Sequence, residues 1–247
     1  LGWMAALQRG GLHVPEPVLA LDGTALRHVQ DVQVDVLGWL DAKPMGTTGT
    51  ALDHPDRHGL FFDLGAEMAK LHTVSDAWTR PAGFTRWSWD QDGLLGDAPL
   101  WDRFWENPTL DAATRAQLID FRDHTAGVLA NTKLDYGLTH ADMVRENVML
   151  GQGKLHLIDF DDGGFGYRLF DVATALIKNR SEPDYNDLKA ALIAGYQSQR
   201  PLDVSLLPLF MALRAVTYVG WIIRRIDEPG GRERNDRFIA SAKALIA

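Results

Sequence analysis

Residues 147–160, NVMLGQGKLHLIDF, set two short apolar runs of strand character around a GQGK turn, and helical patterns lie on both sides of them. A hairpin brings its two ends together in space, so the residues flanking it share one mouth. The flanks are unusual. His140 and Asp142 precede the first run, Asn147 begins it, and Asp159 lies in the second, within LIDFDDGG. A turn between strands needs no such gathering of ionisable and amide groups.

The pattern around this hairpin predicts an α+β fold, a little β followed by mostly α. LGWMAALQRGG reads as the tail of a helix, with Leu1, Met4 and Leu7 at helical spacing and Gly10-Gly11 as a stop. VLAL, a turn at Asp22-Gly23, ALRHVQ and VQVDVLGWL suggest a small antiparallel sheet. Residues 41–59 lack periodicity and read as a surface connection. LFFDLGAEMAKLHTV puts Leu60, Leu64, Met68 and Leu71 on one helical face. Residues 76–108, rich in Trp and broken by Gly and Pro, read as irregular structure packed by aromatics. An amphipathic helix capped by Asp111 follows, then the strand YGLTH and the hairpin. Four further helices are expected near 170–180, 184–199, 204–226 and 232–246.

Composition narrows the function. The chain has 247 residues, 46% of them hydrophobic, enough for a large core in one big domain or two small ones. No window is long and apolar enough for a transmembrane helix, and no signal peptide is visible at the start. Cys is absent, which removes disulfides and thiolate metal sites and makes a reducing, cytoplasmic setting the default. A net charge of -8 without a Lys/Arg cluster argues against a nucleic-acid partner. It suits a cationic substrate and plain solubility equally.

Asp142, Asn147 and Asp159 together offer two carboxylates and an amide oxygen, the hard oxygen donors that magnesium prefers. One carboxylate left off the metal can accept a hydroxyl proton. Those are the parts that phosphoryl transfer to an alcohol requires. The same three residues also fit turn and cap positions.

At these residues the chain resembles the protein-kinase-like phosphotransferases, in the form of aminoglycoside phosphotransferases, choline kinases and type II homoserine kinases. HADMVREN is similar to their catalytic loop, and IDFDD to their metal-binding segment. VQVDVLGWLDAKPM resembles the strand and hinge between their lobes, and LGAEMAKLHTV the helix after it. The resemblance implies a partial small β lobe and hinge over residues 1–40 and a large, mainly helical lobe over 41–247 that carries the catalytic hairpin. It implies Asp142 as catalytic base, with Asn147 and Asp159 as magnesium ligands and ATP as the phosphoryl donor. His140 would hold the loop, and Asp171, in RLFDVATAL, would brace it from behind. Backbone groups around Leu37, Gly38 and Trp39 would meet adenine. The acceptor would be a small-molecule alcohol, aminoglycoside-, choline- or homoserine-like. A catalytically silent nucleotide- or partner-binding relative and a kinase for protein Ser/Thr are the alternatives.

The family carries strands, a phosphate-covering loop and a Lys ahead of the first helix. Nothing precedes Leu1 here, and residues 1–13 contain neither Lys nor Glu. The expectation is an N-terminally truncated chain whose small lobe is loosened and whose Leu1, Met4 and Leu7 face water. Other residues carry open readings. Arg145 reaches a phosphate or substrate, faces solvent, or braces the loop. Asp161 and Asp162 assist the metal or the acceptor, or form a turn ahead of Gly163-Gly164. His54, Asp56 and His58 are ligand types in a polar loop, whereas Glu67 and His72 read as surface and packing. Trp87, Trp89, Trp101 and Trp105 are core or the lining of an acceptor pocket.

Overall fold

The computed structural model describes residues 1–246. In chain order the elements are helix α1 (Gly2–Arg9), strands β1 (Arg27–Val29), β2 (Val32–Val34) and β3 (Lys43–Pro44), and helix α2 (Arg57–Ala77). Strand β4 (Trp87–Trp89), helices α3 (Gln91–Leu95) and α4 (Ala112–Asn131) and strand β5 (Tyr136–Thr139) follow. Next come the hairpin strands β6 (Val148–Gly151) and β7 (Lys154–Leu157), then β8 (Gly164–Tyr167). Helices α5 (Arg168–Ile177), α6 (Tyr185–Gln197), α7 (Leu207–Trp221) and α8 (Gly231–Ile246) complete the chain. The class is α+β, as the pattern predicts. Among the described residues no helix is long and apolar enough to cross a membrane.

The elements fall into two units, each discontinuous in sequence. One comprises Leu1–Phe84, Asp142–Asp161 and Lys178–Leu202. The other comprises Thr85–Ala141, Asp162–Ile177 and the chain from Asp203 on.

In the first unit β6 and β7 pair antiparallel, from Val148 opposite Leu157 to Gly151 opposite Lys154. Gln152 and Gly153, at φ 53° and 70°, make the two-residue turn whose twist matches that of the strands it joins. Strand β3 adds to the β6 edge, with Lys43 opposite Leu150. Leu60, Leu64, Met68 and Leu71 are buried on α2, as their spacing predicts, and α2 packs on α6. The helices meet closely because each presents a glycine. A Cβ on Gly65 would lie 2.0 Å from Leu192 O, and one on Gly195 1.8 Å from Phe62 O. His72 is packing, as expected: it is buried and bonds through Nδ1 to Tyr196 Oη at 2.7 Å.

Two expectations for the start of the chain are corrected. Met4 and Leu7 do not face water: both are buried with Trp3 and Ala6, and Leu1 is half-buried. The cover for α1 is a helix. It packs on α2, where Trp3 Nε1 donates to Ser75 Oγ at 2.8 Å, and the Trp3 ring meets Phe160 edge-on. Full burial of a leucine side chain is worth about 1.5–3 kcal/mol. The VLAL run also forms no strand of its own. The chain there is tied instead to residues after β2, through a Pro17–Leu37 bridge and Val18 N donating to Val36 O at 2.8 Å. β1 and β2 form a two-stranded hairpin exposed on both faces.

The second unit holds a sheet of order β4-β8-β5. β4 runs parallel to β8 and β5 antiparallel to it. Neither β4 nor β8 was expected, since both fall in segments that read as irregular aromatic packing and a glycine turn. Gly164 is required by the pairing, because a Cβ there would lie 2.3 Å from Trp87 O. Asp111 caps α4 as expected, accepting from Thr114 N at 2.6 Å.

Candidate active site

Two successive backbone amides are held by one carboxylate. Asp171, in the first turn of α5 and fully buried, accepts from His140 N at 2.8 Å and from Ala141 N at 2.6 Å. Ala141 has φ 64°, the left-handed region, which costs an L-residue roughly 1–2 kcal/mol. Such backbone persists only where its surroundings over-determine it, and it gathers at functional sites. The buried carboxylate supplies that constraint immediately before Asp142.

From Asp142 the chain turns tightly, with Val144 N donating to Asp142 O at 2.9 Å and Asn147 N to Val144 O at 3.0 Å. Asn147 Nδ2 then donates to both the carbonyl O and Oδ2 of Asp142, each at 2.9 Å. Those bonds turn its Oδ1 away from Asp142. Across the hairpin mouth Ile158 N donates to Asn147 O at 3.0 Å, one residue before Asp159. Asp159 is exposed and is itself left-handed, at φ 62°. Asp142 and Asn147 are thus bonded to each other at one end of the hairpin, and Asp159 follows the residue paired with Asn147 there.

The donor set bears on metal binding. Among the described residues no three His, Cys, Asp or Glu side chains gather into a metal cage. Asn147 and Asp159 offer one neutral and one charged oxygen. So small a set fits a divalent ion that keeps water and phosphate oxygens around it, the habit of magnesium. His54, Asp56 and His58 form no such site: His54 bonds the Asp56 backbone, and the Asp56 side chain caps α2 through Gly59 N at 2.8 Å.

Leu37 and Trp39 are exposed, Trp39 almost completely, and Gly38 N donates to Glu16 O at 2.8 Å. Asp161 is exposed, while the Asp162 carbonyl accepts from Trp89 Nε1 at 2.7 Å. Trp89 and Trp105 are core, Trp101 is half-buried and Trp87 is exposed. A cation already lies against these rings. The Arg214 guanidinium sits 4.5 Å from the Trp101 ring centre and 4.4 Å from that of Tyr218. Arg145 is buried in a polar network with Glu182 and Arg57. Glu182 and Arg57 carried no signal in the sequence, where lone charged residues read as surface.

Known proteins resemble this chain in sequence and fold. A model of the phosphotransferase enzyme family matches residues 1–204. The homoserine kinase of Gluconobacter oxydans is 30% identical over 216 residues, which cover 82% of this chain and 62% of that protein. This chain thus spans less than two thirds of that relative's length. The amicoumacin kinase of Bacillus subtilis is 26% identical over 243 residues, covering 91% of this chain and 68% of the relative. The solved structure of a microcompartment-associated aminopropanol kinase superposes with a TM-score of 0.79 at 31% identity, covering 99% of this chain and 77% of that one. The chain belongs to the phosphotransferase enzyme family and has its protein-kinase-like α+β fold.

Proposed function

We propose that this chain catalyses transfer of the ATP γ-phosphoryl group to a hydroxyl of a small molecule. The observation that carries the proposal is the bonded set at the hairpin mouth, where Asn147 is tied to Asp142 and, through its carbonyl, to the residue before Asp159. In this reading Asp142 takes the proton of the acceptor alcohol as the new bond to phosphorus forms. The Asn147 amide oxygen and the Asp159 carboxylate would hold magnesium, whose charge would offset that of the phosphates. His140 and Asp171 are braces: Asp171 holds the amides of His140 and Ala141 and so fixes where Asp142 starts. Backbone around Leu37, Gly38 and Trp39 meets adenine through groups other than the Gly38 N–H, which Glu16 O engages. Residues 1–40 then belong to the small lobe and hinge, and 41–247 to the catalytic lobe.

The acceptor we favour is a small amino alcohol. Relatives at 30% and 31% identity are a homoserine kinase and an aminopropanol kinase, and the net charge of -8 suits a cationic substrate. The test is a panel of homoserine, aminopropanol, choline and an aminoglycoside with radiolabelled ATP, using Asp142→Asn as the blank. Transfer to an amino alcohol is expected. A chain that binds Mg-ATP yet labels none of these acceptors would overturn the proposal.

A further inference from the structure

Arg145 lies within the catalytic loop, after Asp142 and before Asn147. Charged side chains are almost never fully buried unless paired, yet this one is 1% exposed. Its three nitrogens point to three different partners. Nε donates to Asn179 Oδ1 at 2.7 Å, Nη1 to Thr50 O at 2.8 Å and Nη2 to Glu182 Oε1 at 2.5 Å. Glu182, 3% exposed, also accepts from Leu52 N at 3.0 Å and from Arg57 Nη2 at 2.7 Å. Arg57 donates onward to Leu52 O at 2.8 Å and to Asp184 Oδ2 at 2.9 Å. Beside Arg145, Glu146 Oε1 accepts from Thr48 N at 2.5 Å. The connection 46–56, which has no regular structure, is thus fastened at Thr48, Thr50 and Leu52 to the catalytic loop and to residues 179–184.

A buried ion pair is weak evidence for stability, since apolar residues of the same shape often do as well. What it supplies here is geometry. A guanidinium presents its donors in a rigid planar fork, so three partners in different directions fix its place. That place sets the 3-10 turn Arg145–Asn147, whose last residue bonds Asp142.

We infer that Arg145 is a positioning residue for phosphoryl transfer: locked by Glu182, Asn179 and Thr50, it sets the spacing between Asp142 and Asn147. The effect on rate rests on the kinase reading above, whereas the effect on the loop does not. Arg145→Lys keeps the charge but cannot reach three partners at once. Misplacing a reacting group by about 1 Å costs on the order of 10²-fold, so kcat should fall about 10- to 100-fold, with a smaller rise in the KM for ATP because Asn147 moves with the turn.

The second readout needs no activity. Hydrogen exchange at the Leu52, Val144 and Asn147 amides should be faster in Arg145→Lys than in the parent. Arg200→Met, which breaks the Arg200–Asp76 pair elsewhere in the same unit, serves as a control and should change neither readout. Both changes are required. A variant that melts earlier but keeps parental kcat, or one whose exchange at Val144 and Asn147 is unaltered, would overturn the inference and leave Arg145 as a structural brace. If the parent itself transfers no phosphoryl group, the kinase reading falls and exchange alone decides the loop. Should Arg145→Lys not fold, Glu182→Gln, which keeps an acceptor oxygen but loses the charge, carries the same comparison.

Discussion

Replacing Asp171 with alanine removes a buried carboxylate that accepts from two buried amides, at 2.8 Å from His140 N and 2.6 Å from Ala141 N. Hydrogen bonds to a charged partner contribute about 1.5–3 kcal/mol each, and an unsatisfied buried donor costs a similar amount. The two bonds together give about 3–6 kcal/mol. Releasing the desolvated carboxylate offsets part of that, so a net loss near the lower end, about 3 kcal/mol, is expected. For a chain of this size each kcal/mol shifts the melting temperature by about 2–4 °C, which predicts a fall of about 6–12 °C. Asp171→Asn keeps one acceptor oxygen and loses the charge, so it should fall between the alanine variant and the parent. Thermal unfolding followed by circular dichroism measures both, and activity should fall with stability. A melting temperature for Asp171→Ala within about 2 °C of the parent, less than 1 kcal/mol on the same scale, would refute the account of Asp171 as the loop's brace.

Three further outcomes are expected. Asp142→Asn should lower kcat by about 10²–10⁴-fold, the worth of a general base, with ATP affinity largely kept; near-parental turnover would remove Asp142 from that role. Asp159→Ala should weaken Mg-ATP binding more than Asn147→Ala, because Asp159 brings the charge and Asn147 a neutral oxygen; equal affinities of parent and variants in calorimetry would refute the assignment. Burial pushes the Glu182 carboxyl up, but hydrogen bonds from Arg145 and Arg57 outweigh it and hold the group below its ordinary 4.5. Its contribution to stability is therefore present above pH 4.5 and lost as pH falls through the lower, folded value. Acid unfolding of Glu182→Gln should lack that loss, and identical acid profiles would count against the pairing.

Local pattern carried much of this protein. The 3.6-residue spacing of Leu60, Leu64, Met68 and Leu71 specified α2, and Asp111 marked the start of α4 by offering its side chain to Thr114 N. The GQGK turn between apolar runs specified β6 and β7, and with them the pairing of Asn147 with the residue before Asp159, because a hairpin's register follows from its turn. What the sequence could not decide depends on partners far along the chain. Trp87–Trp89 is a strand only because β8 lies beside it, and three residues are too few to show a period of two. Met4 and Leu7 are buried because α2 covers α1, although both were expected to face water. Arg57 and Glu182 read singly as solvated charges, and Arg145 kept three readings open, of which bracing the loop was one. Only the fold brings them within hydrogen-bond reach, and a buried charge is tolerated only where its partners are already in place.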